Sequence, residues 1–207
     1  MDELNKTSFI FLRHGEPIGG KKFRGSTDDA LTEKGWQQMQ RAVEELSFDE
    51  IACSPLKRCS EFAAKLQSQL NIPCHIQQDL QEMHLGIWEG LSPAQVEKLD
   101  KNALYAFWED PIKNTPPSGE CFLDFERRIL AVWEKLKADY ISTVQSKMIL
   151  VISHSGVMMV LLKALLKIPM ENILTVKLNF ASKVRVEVFD ESYRLKPQIY
   201  IEHGYTF

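Results

Sequence analysis

The sequence lacks a strong charge of either sign. Its 207 residues carry 25 Lys and Arg against 28 Asp and Glu, a formal net charge of −3. A chain so close to neutral exerts no global attraction on nucleic acids or on anionic membrane surfaces, so we expect neither as a partner. If this protein binds an anion, it must do so with a few cations concentrated at one place.

Long apolar runs are also missing. The most apolar segment, residues 148–168, is interrupted by SHSG at residues 153–156 and by Lys163. Its uninterrupted parts fall short of the roughly 20 residues that a membrane span needs. The opening residues, MDELNK, are polar and acidic and do not have the pattern of a secretory signal. We therefore expect a cytoplasmic protein without a membrane segment.

Cysteine is scarce, and metal-ligand spacing is absent. The four cysteines, at positions 53, 59, 74 and 121, form no CxxC pair, and reduced thiols are the default in a chain without a secretory signal. His75, His84 and His203 have no ligand spacing, such as HExxH, with the other two histidines. The sequence predicts no metal site and no cofactor.

The sequence does contain an alternation of short apolar segments and amphipathic ones. Strands are predicted near residues 8–12, 51–53, 73–77 and 148–152, with two or three more within 173–202. Helices are predicted from Thr32, from the Ser54-Pro55 pair (as N-cap and first turn) to about Leu70, from Ser92, over 122–136 and over 157–166. This alternation is typical of an α/β three-layer sandwich, with a largely parallel central sheet flanked by helices. We expect a single domain over residues 1–207, with a lid-like insertion at about 85–118.

Histidine and arginine stand where three predicted strands end. Arg13 and His14 follow the first strand, His154 follows the strand at 148–152, and Arg58 lies in the first turn after the strand at 51–53. Ligands of open α/β sheets bind at the carboxyl ends of the strands, so we expect these side chains to converge. One such residue is usually structural, but its repetition at three strand ends favours a functional site.

These residue types suit phosphoryl chemistry. Guanidinium groups donate paired hydrogen bonds to phosphate oxygens, and a helix N-terminus adds backbone N–H donors. A neutral imidazole among such cations can attack phosphorus and form a phosphohistidine. The departing oxygen then needs a proton from a carboxyl group, whose pKa a nearby phosphate dianion raises.

Several motifs surround these residues in a fixed order. They are LRHGE at residues 12–16, DDALTEKG at 28–35, SPLKRC at 54–59, QEMHLGIWEG at 81–90 and SHSG at 153–156. They resemble motifs of the histidine phosphatase superfamily, in its phosphoglycerate-mutase-like branch, over most of the chain. The resemblance implies a metal-independent phosphomonoesterase in which His14 is the phosphorylated nucleophile and Glu82 the proton donor. It also implies that Arg13, Arg58 and His154 bind the phosphate.

Two points of this resemblance stay open. Asp79, Glu89 and Glu16 could take the role of Glu82, and for Glu89 turn contacts are as good an interpretation as catalysis. Many members of the branch carry Asn six positions after the nucleophile, where this chain has Gly20. Backbone amides could meet the phosphate there, because glycine permits close approach, or the contact could be missing.

The segment after Glu82 separates two groups within the branch. It runs directly into WEG at 88–90, without the longer insertion of the mutases, so the chain resembles the phosphatases. RHGEPIGG at 13–20, FRG at 23–25, WEDP at 108–111 and TPP at 115–117 are similar to bacterial α-ribazole phosphatases. This implies a small phosphorylated metabolite, α-ribazole 5′-phosphate or the corresponding cobalamin phosphate, as substrate. The alternatives are a broad sugar or nucleotide phosphatase, a phosphoglycerate-type mutase and a non-catalytic binding protein.

Aromatic residues near the predicted site admit two interpretations. Five lie in segments that could roof a phosphate pocket and stack on an aromatic ligand: Phe23, Trp88, Tyr105, Phe107 and Trp108. Packing in the core or in the insertion is the other interpretation. They therefore discriminate little between a nucleotide-like substrate and a sugar phosphate.

Overall fold

The computed structural model describes residues 5–141, 145–190 and 194–202. Residues 1–4 of the acidic opening segment and His203 lie outside these ranges. The described strands are β1 (Lys6–Arg13), β2 (Glu50–Cys53), β3 (Cys74–Ile76), β4 (Lys147–Ser153), β5 (Lys183–Phe189) and β6 (Gln198–Glu202). They form one sheet in the order β3-β2-β4-β1-β5-β6. The expectation of a single domain over residues 1–207 stays a prediction.

The sheet is parallel on one side and antiparallel on the other. β1 pairs with β4, β4 with β2, and β2 with β3, all in parallel. On the other side of β1, β5 pairs antiparallel with β1, and β6 pairs antiparallel with β5. The predicted largely parallel centre is therefore confirmed, with an antiparallel C-terminal edge. The two central strands have continuous apolar stretches, at 9–12 in β1 and 148–152 in β4, because both faces of the sheet are covered.

Helices cover the two faces. They are α1 (Glu33–Val43), α2 (Lys57–Leu70), α3 (Pro93–Glu109), α4 (Phe122–Ile141), α5 (Ser155–Leu166) and α6 (Met170–Ile173). Alternate residues of β1 point to opposite layers: Phe9 and Phe11 share a core with α4 and α5, and Ile10 and Leu12 share one with α1 and α2. This confirms the three-layer architecture. No helix within the described ranges is long and apolar enough to cross a membrane.

Local signals placed most helix starts correctly. The Thr32 hydroxyl accepts from the Gly35 N–H at 2.9 Å before α1, and Ser92 forms a capping box with Gln95 before α3. The predicted start of α2 at Ser54-Pro55 is wrong. The helix begins at Lys57 without a side-chain cap, and the Ser54 hydroxyl lies 2.7 Å from Nε2 of His154 and 3.4 Å from the Leu56 nitrogen.

The segment at 85–118 packs partly against the helix–sheet core, through Leu85, Phe107 and Ile112. Trp88, Val96 and Leu104 make a core of their own within it. α3 is interrupted at Asp100, whose φ of −155° is extended and whose carboxylate accepts from the Ala103 N–H at 2.9 Å. Phe107 and Trp108, at the C-terminal end of α3, line a cavity beside the sheet.

Candidate active site

A cavity of about 550 Å³ opens at the carboxyl ends of β1, β2 and β4. This size is ordinary for a small-molecule site. Arg13, His14, Arg58 and Glu82 line it. His154 is fully buried beside them, with its ring centroid 5.3 Å from that of His14. The structure thus brings together the five residues that the sequence singled out.

His14 is held as a neutral imidazole of one tautomer. Its Nδ1 lies 2.7 Å from the carbonyl oxygen of Gly15. Because a carbonyl can only accept, Nδ1 carries the proton and Nε2 keeps its lone pair. Burial, together with the charges of Arg58 and Arg13, holds the pKa of His14 well below its usual value of 6.5. A nitrogen nucleophile is therefore available at neutral pH.

Two motif glycines let the loop of His14 lie against the start of α1. A Cβ at Gly15 would lie 2.1 Å from the Gly35 carbonyl oxygen, and a Cβ at Gly35 would lie 2.2 Å from that of Glu16. Both distances are far below van der Waals contact, so side chains at these positions would separate the two segments. The glycines of RHG and of DDALTEKG are thus explained by one close backbone contact.

Arg58 connects two parts of the site. Its Nη1 and Nη2 donate to the carbonyls of Thr27 and Gly25 at 2.7 and 2.8 Å, and its Nε donates to Nδ1 of His154 at 3.2 Å. Since that Nδ1 accepts, the proton of neutral His154 is on Nε2, which donates to Ser54 Oγ. Burial and the charge of Arg58 hold the pKa of His154 well below its usual value. Both ring nitrogens of His154 are therefore occupied, and a direct contact with phosphate requires His154 to give up its hydrogen bond to Arg58 or to Ser54.

Arg13 is a cation with unused donors. Its guanidinium lies 4.4 Å from the ring centroid of Phe180, and its Nη1 donates to the Leu178 carbonyl. Its Nε is buried and has no hydrogen-bond partner among the described residues. Burial lowers the pKa of Arg13 to about 10, although the Glu82 carboxylate opposes the shift. Desolvating a charge with free donors is costly, so an anion at this position would be strongly favoured.

The Glu82 carboxylate is fixed at the N-terminal end of α5. Oε2 accepts from the Gly156 N–H at 3.0 Å, and Oε1 accepts from the Met83 N–H at 3.1 Å. A Cβ at Gly156 would lie 2.2 Å from Oε1. The carboxylate therefore occupies space that only glycine leaves free.

The backbone around Glu82 is held from α4. Arg128 donates to the carbonyls of residues 79, 81 and 82, at 2.7, 2.8 and 3.1 Å. The same guanidinium forms a two-point ion pair with Glu120, at 2.7 and 2.9 Å. Sequence reasoning missed Arg128, because nothing in its helical pattern distinguishes it from the adjacent exposed Arg127.

Glu89 makes turn contacts and does not line the cavity. Its carboxylate accepts from the N–H and hydroxyl of Ser26, the hydroxyl of Thr27 and the N–H of Leu85, at 2.8 to 3.1 Å. Burial opposes its ionisation, but these hydrogen bonds together lower the pKa of Glu89. Asp79 and Glu16, the remaining carboxylates considered for the role of Glu82, do not line the cavity either.

The cavity also contains cations that the sequence did not assign to the site. Lys22, Arg24 and Lys177 line it. FRG, which contains Arg24, served only as a point of similarity, and no sequence signal marked Lys177. The positive charge of the pocket therefore comes from more residues than the two arginines that the sequence predicted.

The aromatic residues divide between the two interpretations. Phe23, Phe107 and Trp108 line the cavity. Trp88 is fully buried and packs against Phe23 and Phe107, with ring centroids 5.7 and 5.5 Å away. Tyr105 is half-exposed beside Trp108 and does not line the cavity. Further apolar side chains extend this wall: Met83, Leu85, Pro111, Phe122, Phe125, Met159, Met170, Leu174 and Phe180.

The side chains that line the cavity were also compared with the ligands that metal ions prefer. Over the ranges that the structure describes, no three His, Cys, Asp or Glu residues cluster in a way that could hold a metal ion. The charges that face the cavity are mainly cationic.

Comparison with known proteins agrees with this arrangement. A family model described as the histidine phosphatase superfamily, branch 1, matches residues 9–198. A glucosyl-3-phosphoglycerate phosphatase of Mycolicibacterium vanbaalenii is 29% identical over 79% of this chain and 76% of its own length. An adenosylcobalamin/α-ribazole phosphatase of Salmonella typhimurium is 31% identical over 76% of this chain and 79% of its own length.

The fold is also similar to solved structures. A mycobacterial glucosyl-3-phosphoglycerate phosphatase superposes with a TM-score of 0.82 at 25% identity, over 97% of this chain and the whole of that one. The chain belongs to branch 1 of the histidine phosphatase superfamily. It is a phosphatase, as its relatives are.

Proposed function

We propose that the chain is a metal-independent phosphomonoesterase that hydrolyses α-ribazole 5′-phosphate through a phosphohistidine on His14. One observation carries the catalytic part of the proposal. His14 is neutral, with its proton on Nδ1 and its Nε2 lone pair available, among the cations that line the cavity. An imidazole in this state attacks phosphorus without first losing a proton.

The reaction proceeds in two displacements. Nε2 of His14 forms a bond to phosphorus while the ester P–O bond breaks, and Glu82 gives its proton to the departing alcohol oxygen. The Glu82 carboxylate then takes a proton from water as that water attacks the phosphohistidine. The P–N bond breaks, inorganic phosphate is released, and His14 and Glu82 return to their starting states.

Arg13 and Arg58 bind the phosphoryl oxygens in this proposal. Both are oriented before the substrate arrives, Arg13 by Leu178 and Phe180 and Arg58 by the carbonyls of residues 25 and 27. Preorganised donors stabilise developing negative charge without reorganisation at the moment of reaction. His154 completes the phosphate-binding group and orients Arg58 through the bond to its Nε.

The apolar wall supports the choice of substrate. The charges of Arg13, Arg24 and Arg58 act on His14, while aromatic and aliphatic side chains form most of the remaining lining. α-Ribazole 5′-phosphate has a matching division, with a phosphate at one end and a flat aromatic base at the other. Trp108, whose exposed fraction is 46%, is well placed to cover that base, because aromatic rings bury large area when they stack.

A phosphorylated sugar acid is the second candidate substrate. Lys22 and Lys177 line the cavity and could bind a carboxylate. Relatives with glucosyl-3-phosphoglycerate phosphatase names are as similar to the chain as those with α-ribazole phosphatase names. The two candidate substrates need different cavity walls: α-ribazole 5′-phosphate needs an apolar surface, and a phosphorylated sugar acid needs cations.

Steady-state kinetics test the proposal. We expect kcat/KM for α-ribazole 5′-phosphate to exceed that for glucosyl-3-phosphoglycerate, nucleotides and simple sugar phosphates by at least about tenfold. Trp108→Ala should lower kcat/KM by a larger factor for α-ribazole 5′-phosphate than for glycerol phosphate, which has no aromatic base. Equal kcat/KM across the panel would establish a broad phosphatase instead, and isomerisation of 3-phosphoglycerate without phosphate release would establish a mutase.

The mechanism has its own test. His14→Ala should abolish turnover and the acid-labile labelling of the enzyme by a ³²P-substrate. His75→Asn is the matched control, because His75 lies half-exposed on β3, outside the cavity, and should leave both unchanged. Full activity of His14→Ala would exclude the phosphohistidine. Binding of substrate by the wild type without turnover would indicate a binding protein.

A further inference from the structure

Gly20, the position at which the sequence left a phosphate contact open, does not face the cavity. Gly20 has a φ of +68°, in the left-handed region that favours glycine. A Cβ there would meet no atom within 4 Å, and Gly20 is not among the lining residues. Its carbonyl accepts a hydrogen bond from Nη2 of Arg24. Gly20 therefore does not supply the missing phosphate contact, but it helps to hold a residue that lines the cavity.

Arg24 is held on two of its three nitrogens. Nε donates to Oδ2 of Asp29 at 3.1 Å, and Nη2 donates to the carbonyls of Ile18, at 2.7 Å, and Gly20. Within residues 5–141, 145–190 and 194–202, Nη1 has no hydrogen-bond partner. The exposed fraction of the Arg24 side chain is only 12%. A largely buried guanidinium is thus fixed in one orientation with one nitrogen unused.

The charge of Arg24 acts on the residues that we place at the phosphate. Burial is the largest cause of the lowered pKa values of Arg13 and His14, and the charge of Arg24 adds to both shifts. The pKa of Arg24 itself is lowered, first by burial and also by Arg58, against the effect of Asp29. The charges of Arg13, Arg24 and Arg58 repel one another across the cavity. A phosphate dianion among them would remove that repulsion.

We propose that Arg24 binds the phosphoryl group of the substrate through Nη1, as a third guanidinium beside Arg13 and Arg58. The inference rests on the proposed function, because it places the phosphate at His14. Arg24 is a donor on the loop between β1 and α1, whereas Arg58 comes from α2. Three guanidinium groups then surround the phosphate from separate segments of the chain.

The proposal predicts a loss of phosphate affinity that is separate from a loss of structure. Arg24→Gln removes the charge and one charge-assisted hydrogen bond, so the Kd for inorganic phosphate, measured by titration calorimetry, should rise about 10- to 100-fold. kcat/KM for p-nitrophenyl phosphate should fall by a similar factor. Arg127→Gln is the matched control, since Arg127 is exposed on α4 and pairs with Asp124, and should change neither value.

Two outcomes would overturn the inference. A Kd and a kcat/KM within twofold of the wild type in Arg24→Gln would show that Arg24 does not contact phosphate. A lower melting temperature with an unchanged phosphate Kd would assign it a purely structural role.

If Arg24→Gln does not fold, Arg24→Lys decides the question. One ammonium cannot serve both the loop carbonyls and the phosphate, so the phosphate Kd should rise at least about threefold. An unchanged Kd in Arg24→Lys would contradict the proposal. Calorimetric binding does not depend on turnover, so a wild-type protein that binds phosphate through Arg24 but forms no phosphohistidine would refute only the proposed function.

Discussion

The backbone N–H of Gly156 lies 3.0 Å from Oε2 of Glu82, and the Glu82 carboxylate fills the space that a side chain at residue 156 would need. The two residues are 74 positions apart in the chain. Gly156 belongs to the first turn of α5, so its N–H is one of the donors that a helix leaves without an internal partner. The first turn after His154 thus orients the carboxylate proposed as proton donor.

Gly156→Ala should separate activity from stability. The new methyl group meets only the end of a flexible side chain, so the Glu82 carboxylate moves while the fold remains. Alanine favours a helix over glycine by up to about 1 kcal/mol, and the melting temperature should not fall. kcat should fall about 100-fold, as for loss of a general acid. Unchanged kcat, measured beside Glu82→Gln as a reference, would contradict the assignment of Glu82.

Arg128→Met should lower both kcat and stability. The substitution leaves three carbonyls of residues 79–82 and the Glu120 carboxylate without their shared donor. Unsatisfied groups of this kind cost about 1–3 kcal/mol, measured as the free energy of unfolding in urea. Arg127→Met, at the neighbouring exposed position, is the control and should leave both quantities unchanged. If kcat survives in Arg128→Met, the Glu82 loop does not need this anchor.

Glu89→Gln should weaken the loop that carries the carbonyl partners of Arg58. Glu89 binds Ser26 and Thr27, and the neighbouring carbonyls of Gly25 and Thr27 accept from the Arg58 guanidinium. An amide replaces one acceptor by a donor that faces other donors, so the free energy of unfolding should fall by about 1–3 kcal/mol. KM should rise with it. A variant that loses stability but keeps KM would show that Arg58 does not depend on this loop.

Stability should fall as the solution becomes acidic. In the fold the pKa values of His14 and His154 lie well below 6.5, chiefly because both are buried. Below pH 6.5 the unfolded chain binds protons that the folded chain does not, so the free energy of unfolding decreases as pH falls. Each histidine contributes a slope of up to about 1.4 kcal/mol per pH unit between 6.5 and its lowered value. Urea unfolding at pH 7.5, 6.5 and 5.5 measures this slope, which His14→Asn should reduce; an equal slope in wild type and variant would show that His14 titrates normally.

Removal of metal ions should leave the activity unchanged. The proposed mechanism neutralises the phosphate with Arg13, Arg58 and Arg24, and each step uses protein groups or water. After exhaustive dialysis against EDTA, kcat/KM for p-nitrophenyl phosphate should stay within twofold of its initial value. Loss of activity that a divalent cation restores would refute the metal-independent mechanism.

The local order of residues along the chain determined much of this protein. Short continuous apolar runs specify β1, β2 and β4, and helical apolar spacing specifies α1 and α4, because each element must bury one face or both. A residue that directly follows a parallel strand lies at the carboxyl edge of the sheet, so His14, Arg13 and His154 were predictable together once the strands were known. Arg58 was predictable as well, from its place in the first turn after β2, and the motif resemblance added Glu82.

The tertiary structure alone decided how those residues are held. Ser54 has the sequence pattern of a helix cap, yet its hydroxyl serves His154, 100 positions away. Arg128 and Gly156 carry no local mark of their contacts, because each partner comes from another segment that only folding brings near. Local sequence specifies the elements and their edges, whereas the hydrogen bonds and charges that tune the cavity depend on long-range packing.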